Sequence, residues 1–142
     1  MNSTWRAPLF LLAALAVCAV SAGCGRSALV KVRCQILKDG VPPEVQPGDS
    51  ALVVFLPFVE GGGVPDDSYL AKGVASVPWT FEVPGKTGDG IPPGKYRIAV
   101  KHLRGARGED VLEGAFAPDK SPIVREILES QELTIDVGKP EG

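Results

Sequence analysis

Apolar and polar residues alternate with a period of two in three runs along the chain, at positions 28–37, 95–103 and 132–137. This period places apolar side chains on one face of a strand and polar side chains on the other. A fourth run, 51–58, is continuously apolar, which is typical of a strand buried on both faces or of an edge strand that ends at Pro57. These four runs predict the main strands of the fold.

Shorter runs fill the intervals between these strands. Positions 70–76 and 77–84 form two short extended segments, with Trp79 predicted as a core anchor, and 123–128 is expected to pair with 132–137 as a closing pair. Segment 104–119 shows no clear period. About seven strands separated by Gly- and Pro-rich turns predict an all-β fold, a Greek-key β-sandwich.

The first part of the chain follows a different pattern. Arg6 precedes an uninterrupted apolar stretch, 9–20, which is followed by the small residues of 21–23. This order is that of a secretory signal peptide. A helix of this length spans about 18 Å, less than the ~30 Å hydrocarbon core of a bilayer, so it is not predicted to be a stable membrane anchor.

The segment Ser21-Ala22-Gly23-Cys24 resembles the lipobox of bacterial lipoproteins. The resemblance implies that residues 1–23 are removed as a signal peptide and that the sulfur of Cys24 carries a diacylglycerol. Residues 24–27 would then form an acylated N-terminus with a short tether, and 28–142 the sandwich domain. The implied location is the cell membrane or the outer membrane, with the domain facing the periplasm or the exterior.

The composition narrows the remaining options. The formal net charge of -2 provides no attraction for nucleic acid, and we predict no nucleic-acid partner. Of the three cysteines, Cys18 lies in the leader and Cys24 is the acylation site, so Cys34 is the one thiol left, and it is predicted to be a small buried hydrophobe. Four bases precede the first acidic residue after the leader; they are Arg26, Lys31, Arg33 and Lys38. They are expected to be ordinary outward-facing charges of the first strand, and the alternative is a weak second contact with anionic headgroups.

Three short motifs narrow the type of sandwich. Asp39-Gly40-Val41-Pro42 after the first strand, Ile91-Pro92-Pro93-Gly94-Lys95-Tyr96 before a core strand, and the closing run 132–137 together resemble the transthyretin-like, or carboxypeptidase regulatory-like, domains. In such domains the tyrosine of the second motif packs near the edge of the sandwich. The resemblance covers most of 28–137, and small bacterial lipoproteins with one such domain look like its nearest kin.

No catalytic set follows from the residues. The resemblance implies two catalytic sets that could be present: transthyretin-like hydrolases use paired histidines with an arginine and a C-terminal Tyr-Arg-Gly-Ser, and intradiol dioxygenases use two tyrosines with two histidines. The chain has one histidine, His102. Gly85-Lys86-Thr87 lacks the preceding glycine of a phosphate loop. The carboxylates of the loops are predicted to be solvated; they are Asp66, Asp67, Asp89, Glu109, Asp110 and Glu113. We therefore predict no catalytic residue, no metal and no cofactor.

These observations predict a noncatalytic, membrane-anchored lipoprotein whose sandwich is a binding or structural module of the cell envelope. Its partners would be membrane lipid, through the Cys24 acyl group, and an envelope protein or polysaccharide, which would bind at a sheet edge or at the loops 59–68 and 85–94. The alternative is an envelope hydrolase or small-ligand carrier that uses loop carboxylates with His102. The sequence leaves the ligand and the oligomeric state open.

Overall fold

The computed structural model describes residues 28–73 and 78–138. The predicted signal peptide, Cys24 and the tether lie outside these residues. The described residues contain eight strands and no helix. The strands are β1 (Val32–Leu37), β2 (Ser50–Pro57), β3 (Tyr69–Leu70), β4 (Thr80–Val83), β5 (Gly94–Arg104), β6 (Glu109–Asp110), β7 (Val124–Ile127) and β8 (Gln131–Asp136).

The strands form two sheets, so the all-β prediction is confirmed. The smaller sheet has the order β4-β1-β8, and the larger has β3-β2-β5-β6, with β7 also paired to β5. Every pairing between strands is antiparallel except that of β1 with β8, which is parallel. The inner faces of both sheets contribute to one core, as in a β-sandwich.

The core forms where the alternating pattern places apolar side chains. In β1, Val32, Cys34 and Ile36 are buried, and Trp79 lies in the same core, as predicted. Burial raises the pKa of the Cys34 thiol to about 12, which keeps it protonated. Cys34 is therefore a packing residue, as expected.

The prediction for 51–58 was only partly right. β2 is not an edge strand, because it lies between β3 and β5. Val53 and Phe55 face the core, whereas Leu52, on the other face, is exposed. An uninterrupted apolar run does not reveal which face of a strand is covered, since that depends on distant segments.

The expected pairing of 123–128 with 132–137 was wrong. β7 pairs with β5 in the larger sheet, and β8 pairs with β1 in the smaller one. The short connection between β7 and β8 therefore crosses from one sheet to the other. Segment 104–119, which showed no period, includes β6 and runs beside β5, where the Val100 N–H donates to the Phe116 carbonyl at 3.1 Å.

The strand register places the turns between strands at the two opposite ends of the sandwich. Val30 pairs with Ile91 where the chain enters the sandwich, so the 85–90 turn and the starts of β5 and β8 lie at this tether end. The Asp39-Gly40 turn and the end of β8 lie at the opposite, far end. Asp39 and Gly40 have φ values of 55° and 80°, which a two-residue hairpin turn of type I′ requires.

A single carboxylate fastens the far end. Asp136, at the end of β8, accepts hydrogen bonds from the backbone N–H groups of Asp39 at 2.9 Å, Gly40 at 2.7 Å and Gly138 at 2.8 Å. An ionised carboxylate accepts such bonds well and a carboxamide nitrogen cannot accept them. The contact holds the closing strand to the first hairpin.

We expect Asp136→Asn to lower the free energy of unfolding by about 1–3 kcal/mol, because the amide nitrogen faces backbone donors and leaves them unsatisfied. Urea denaturation at neutral pH measures the change. Asp66→Asn, in an exposed loop, is the matched control and is expected to lie within about 0.5 kcal/mol of the wild type. Equal stability of the two variants would contradict a role for Asp136 in fastening the strand.

Candidate functional site

A surface groove lies at the tether end, on the outer face of the smaller sheet. Its volume is about 680 Å³, within the range of small-ligand sites. Its walls come from the starts of β1 and β8, from the end of β4 and from Gly88 and Gly90 of the 85–90 turn. A second groove of about 260 Å³ continues along the same face and shares Arg33 and Glu132 with the first.

Arg33 stands at the centre of this surface, between two acids on neighbouring strands. The register sets Arg33 opposite Glu82 of β4 and Glu132 of β8. The guanidinium nitrogens lie 2.7 Å from Glu82 Oε1 and 3.5 Å from Glu132 Oε1. The hydrogen bond to Glu82 and the charges of both acids raise the pKa of Arg33, so the guanidinium stays charged.

These acids bear on the alternative role of the basic N-terminal residues, a contact with anionic headgroups. β4 and β8 place two carboxylates beside Arg33, so this base does not stand free to meet anionic headgroups. Arg26 lies outside the described residues. Lys31 and Lys38 are exposed, at the tether end and the far end respectively. The three bases that the structure describes therefore do not form one continuous patch.

A second row of polar side chains follows the ion-paired row along the smaller sheet. Gln35 of β1 lies opposite Thr80 of β4 and Thr134 of β8, and all three line the second groove. Successive rows of one face are about 6.6 Å apart along a strand. The surface therefore presents charged, amide and hydroxyl groups in order, with no aromatic side chain among its lining residues. This chemistry suits hydrogen bonding to a polar ligand.

The two loops proposed from the sequence as interaction surfaces are joined at the tether end. The Lys86 ammonium forms an ion pair with Asp67, which links the 85–90 turn to loop 59–68. This hydrogen bond and the charge of Asp67 raise the pKa of Lys86. Since Gly88 and Gly90 also line the larger groove, the turn connects that groove with the loop.

His102 lies at the far end, in the core between the sheets. Its Nε2 is 3.0 Å from Asp49 Oδ2, and the exposed fractions of the two side chains are 6% and 0%. The imidazole meets the Trp79 ring edge-on, with centroids 4.6 Å apart. The Gln46 N–H and the bond to His102 lower the pKa of Asp49, with a further contribution from the Gly105 N–H. The pair links the approach to β2 with the end of β5.

An aspartate bound to a histidine is also the arrangement that orients a general base. In this chain, both side chains are enclosed, and the partner of His102 is Asp49, a loop carboxylate that is not one of those named from the sequence. Asp110 accepts bonds from the N–H groups of His102, Leu112 and Gly114, so it organises a turn and is not the solvated acid that was predicted. The geometry is that of a structural link.

Asp49 is the site residue that the sequence did not indicate. It is 53 positions from His102, in a Pro- and Gly-containing turn, where an aspartate is common for local reasons. Asp49 Oδ2 does accept the local Gln46 N–H, at 3.0 Å. The local bond could have been predicted from the turn, whereas the contact with His102 depends on the pairing of β2 with β5.

The described residues were also compared with the requirements of a metal site and of a membrane-spanning helix. Within residues 28–73 and 78–138, no three His, Cys, Asp or Glu side chains are grouped so that they could hold a metal ion. Across the same residues there is no helix with the length and apolarity needed to cross a bilayer.

Comparison with known proteins gave no relative. Neither a scan against protein families nor searches of curated sequences and of solved structures found a match for this chain.

Proposed function

We propose that the protein is a noncatalytic lipoprotein of the bacterial cell envelope, anchored through Cys24, whose β-sandwich binds a polar partner. The observation that carries the proposal is the N-terminal order of Arg6, the apolar run 9–20 and Ser21-Ala22-Gly23-Cys24. The partner is an envelope protein or polysaccharide. The anchor places the domain in the periplasm or at the exterior.

We also propose that the sandwich is of the transthyretin-like, Greek-key type. Two contacts support this type. The Asp39-Gly40 turn closes a hairpin after β1, and the Tyr96 hydroxyl donates to the Pro92 carbonyl at 2.5 Å. A tyrosine that bonds to backbone a few residues upstream is found at the corners of Greek-key sandwiches. Burial, together with the nearby Tyr69, raises the pKa of Tyr96 to about 12, so its hydroxyl remains a donor.

The proposed binding surface is the polar groove on the smaller sheet. Its four charged side chains, Lys31, Arg33, Glu82 and Glu132, sum to zero formal charge. A partner without strong net charge and rich in hydrogen-bonding groups therefore fits better than a polyanion. The alternative of a hydrolase or small-ligand carrier gains no specific support, since the enclosed His102 and Asp49 are not among the residues that line either groove.

The anchor is tested by metabolic labelling with a fatty acid. We expect the wild-type chain to incorporate the label and to fractionate with membranes, because diacylglycerol is attached to the Cys24 sulfur. Cys24→Ala is expected to lose all label and to retain the leader, seen as a slower band on a gel. Cys34→Ala is the matched control and should be labelled like the wild type. Label on the Cys24→Ala chain would refute the lipoprotein proposal.

The groove is tested by photocrosslinking in the native envelope. We expect a photoreactive residue at Thr134, in the groove, to capture a partner, whereas one at Ala106, an exposed turn position, captures none. Arg33→Glu places three acids together, which should weaken capture roughly tenfold or more.

The same charge reversal should change the free energy of unfolding by at most about 1 kcal/mol, since the Arg33 ion pairs are exposed to solvent. This comparison separates lost binding from lost folding. Equal capture from Thr134 and Ala106, or capture that Arg33→Glu does not change, would count against the groove as the binding surface.

A further inference from the structure

The outer face of the larger sheet carries an apolar band beside a basic row. Tyr69, Val53 and Phe55 belong to the core, so their neighbours in sequence point outward. The outward side chains of β2 and β3 are Leu52, Val54, Leu56 and Leu70. Leu52 and Leu70 are 37% and 47% exposed, whereas Leu56 is 4% exposed, so the exposed part of the band lies around Leu52, Val54 and Leu70.

The basic row lies on β5, directly beside this band. Tyr96, Ile98 and Val100 face the core, so Lys95, Arg97 and Lys101 face outward with the buried Ala99 among them. The register sets Leu52 opposite Lys101 and Leu56 opposite Arg97. Each base therefore borders an apolar residue of the next strand.

The two broad faces of the sandwich differ in charge. On the larger sheet, the outward residues of β5 and β7 include three bases and one acid, Glu126, which lies opposite Lys95, and β6 adds a second acid, Asp110, opposite Leu103. On the smaller sheet, the outward ionisable residues are the Arg33 group and Asp136, with Lys31 at its border. Positive charge is thus concentrated on the face that also exposes leucine.

Two of these bases are held close to apolar surface. The Lys95 ammonium lies 4.4 Å from the centre of the Phe58 ring, and the Arg97 guanidinium lies 5.6 Å from it. Long basic side chains arranged in this way cover apolar surface with their stems and present their charged ends at its border. An apolar band bordered by bases is the arrangement that binds to an anionic lipid surface.

We propose that this face of the larger sheet, defined by Leu52, Val54, Leu70, Lys95 and Lys101, docks on the membrane surface through anionic phospholipid headgroups. The inference rests on the proposed lipid anchor, which holds the domain beside the bilayer at a high effective concentration, so a weak contact suffices. Docking in this orientation turns the polar groove of the smaller sheet away from the membrane, where an envelope partner can reach it.

The reach of the chain permits this orientation. Cys24 and Val30 are six residues apart and span at most about 20 Å when extended. The two sheets of a sandwich are about 10 Å apart. The chain can therefore extend from β1, in the smaller sheet, past the edge of the sandwich to a bilayer that lies against the larger sheet.

The test uses the full lipidated chain reconstituted in vesicles of phosphatidylcholine, with or without phosphatidylglycerol. A fluorophore is attached to Leu70→Cys or, on the opposite face, to Thr134→Cys, and a quencher is carried by the lipids. Cys34 is buried and does not compete for the label. We expect quenching at position 70 in vesicles that contain phosphatidylglycerol, less quenching without it, and none at position 134 in either.

Charge variants test the contribution of the basic row. The double variant Lys95→Gln with Lys101→Gln should lower the ratio of docked to undocked protein by roughly tenfold or more, because each lysine near an anionic surface raises that ratio about fivefold. Lys38→Gln with Lys72→Gln, two exposed bases elsewhere, is the matched control and should leave the ratio unchanged.

Three results would overturn the docking proposal: equal quenching at positions 70 and 134, quenching independent of phosphatidylglycerol, or capture of an acidic protein at position 70 without lipid quenching. Failure of the anchor is separate, since the chain would then carry no acyl group and would not float with the vesicles. Such a chain is then attached to phosphatidylglycerol vesicles through an N-terminal His tag and a nickel-chelating lipid, and absence of quenching at position 70 in this tethered state would reject the docking face.

Discussion

Gly90→Ala is expected to destabilise the domain by about 3 kcal/mol or more, because the backbone has no room for a Cβ atom at this position. Gly90 has a φ of 118°, and an added Cβ would lie 2.2 Å from the Val30 carbonyl oxygen. That carbonyl accepts the Ile91 N–H at 3.0 Å, so moving it away breaks the pairing that attaches the first strand at the tether end. Urea denaturation measures the loss.

Gly88→Ala is the matched control in the same turn. Gly88 also has a positive φ, of 92°, but an added Cβ would meet no atom within 4 Å. Gly88→Ala is therefore expected to lower the free energy of unfolding by only about 1 kcal/mol, which is the strain of a non-glycine residue at a positive φ. If Gly90→Ala and Gly88→Ala lost equal stability, the close approach of Gly90 to Val30 would have no energetic consequence.

The same position shows how far local sequence can specify the fold. The turn at 85–94 and the Asp39-Gly40 hairpin follow from residue types that favour tight turns, and both were predicted. Which backbone Gly90 must approach depends instead on Val30, a residue 60 positions earlier. Local patterns therefore located the turns, but they could not show which glycine is sterically required.

The pairing of strands shows the same limit. Alternation in β1, β5 and β8 predicted each strand and its buried face, because that pattern is a property of neighbouring residues. The parallel pairing of β1 with β8 brings together segments about a hundred residues apart, and β7 pairs with β5 across the long segment between them rather than with β8, its neighbour in sequence. Strand pairing of this kind is determined by packing of the whole core. The prediction that β7 pairs with β8, which rested on their being neighbours in sequence, was therefore wrong.

The groove could not be predicted because each strand contributes only one part of it. Arg33, Glu82 and Glu132 are ordinary outward charges when each strand is considered alone. Only the order β4-β1-β8 places the base between two acids. The sequence indicated the 85–94 loop as an interaction surface, and the structure places part of that loop in the wall of the groove.

His102→Ala is expected to lower the free energy of unfolding by about 3 kcal/mol, because it removes an enclosed ring from the core and leaves the Asp49 carboxylate without its side-chain donor. The ring also contacts Trp79, the only tryptophan beyond Trp5. Its loss should therefore change the tryptophan fluorescence of the folded protein as well as its stability. Unchanged fluorescence and stability would contradict the link between the two strands.

The pH dependence of this link follows from Asp49. The bonds from the Gln46 N–H and from His102 lower the pKa of Asp49 in the folded state relative to the unfolded chain. Ionised Asp49 therefore stabilises the fold at pH values above the ordinary carboxyl pKa, about 4, and this contribution disappears as the pH falls through the lowered folded value. Asp49→Asn should thus be less stable than the wild type at pH 6, and the difference should shrink below pH 4.

Urea titrations of both proteins from about pH 7 to pH 2.5 measure this convergence, with Asp66→Asn, an exposed loop carboxylate, as the control that should follow the wild type throughout. A difference between the wild type and Asp49→Asn that stayed constant to the lowest pH would mean that the carboxylate charge does not contribute. The loss would then come from the shape of the side chain alone. Convergence assigns the stabilisation to the ionised carboxylate held between β2 and β5, which makes the far end of the sandwich its acid-sensitive part.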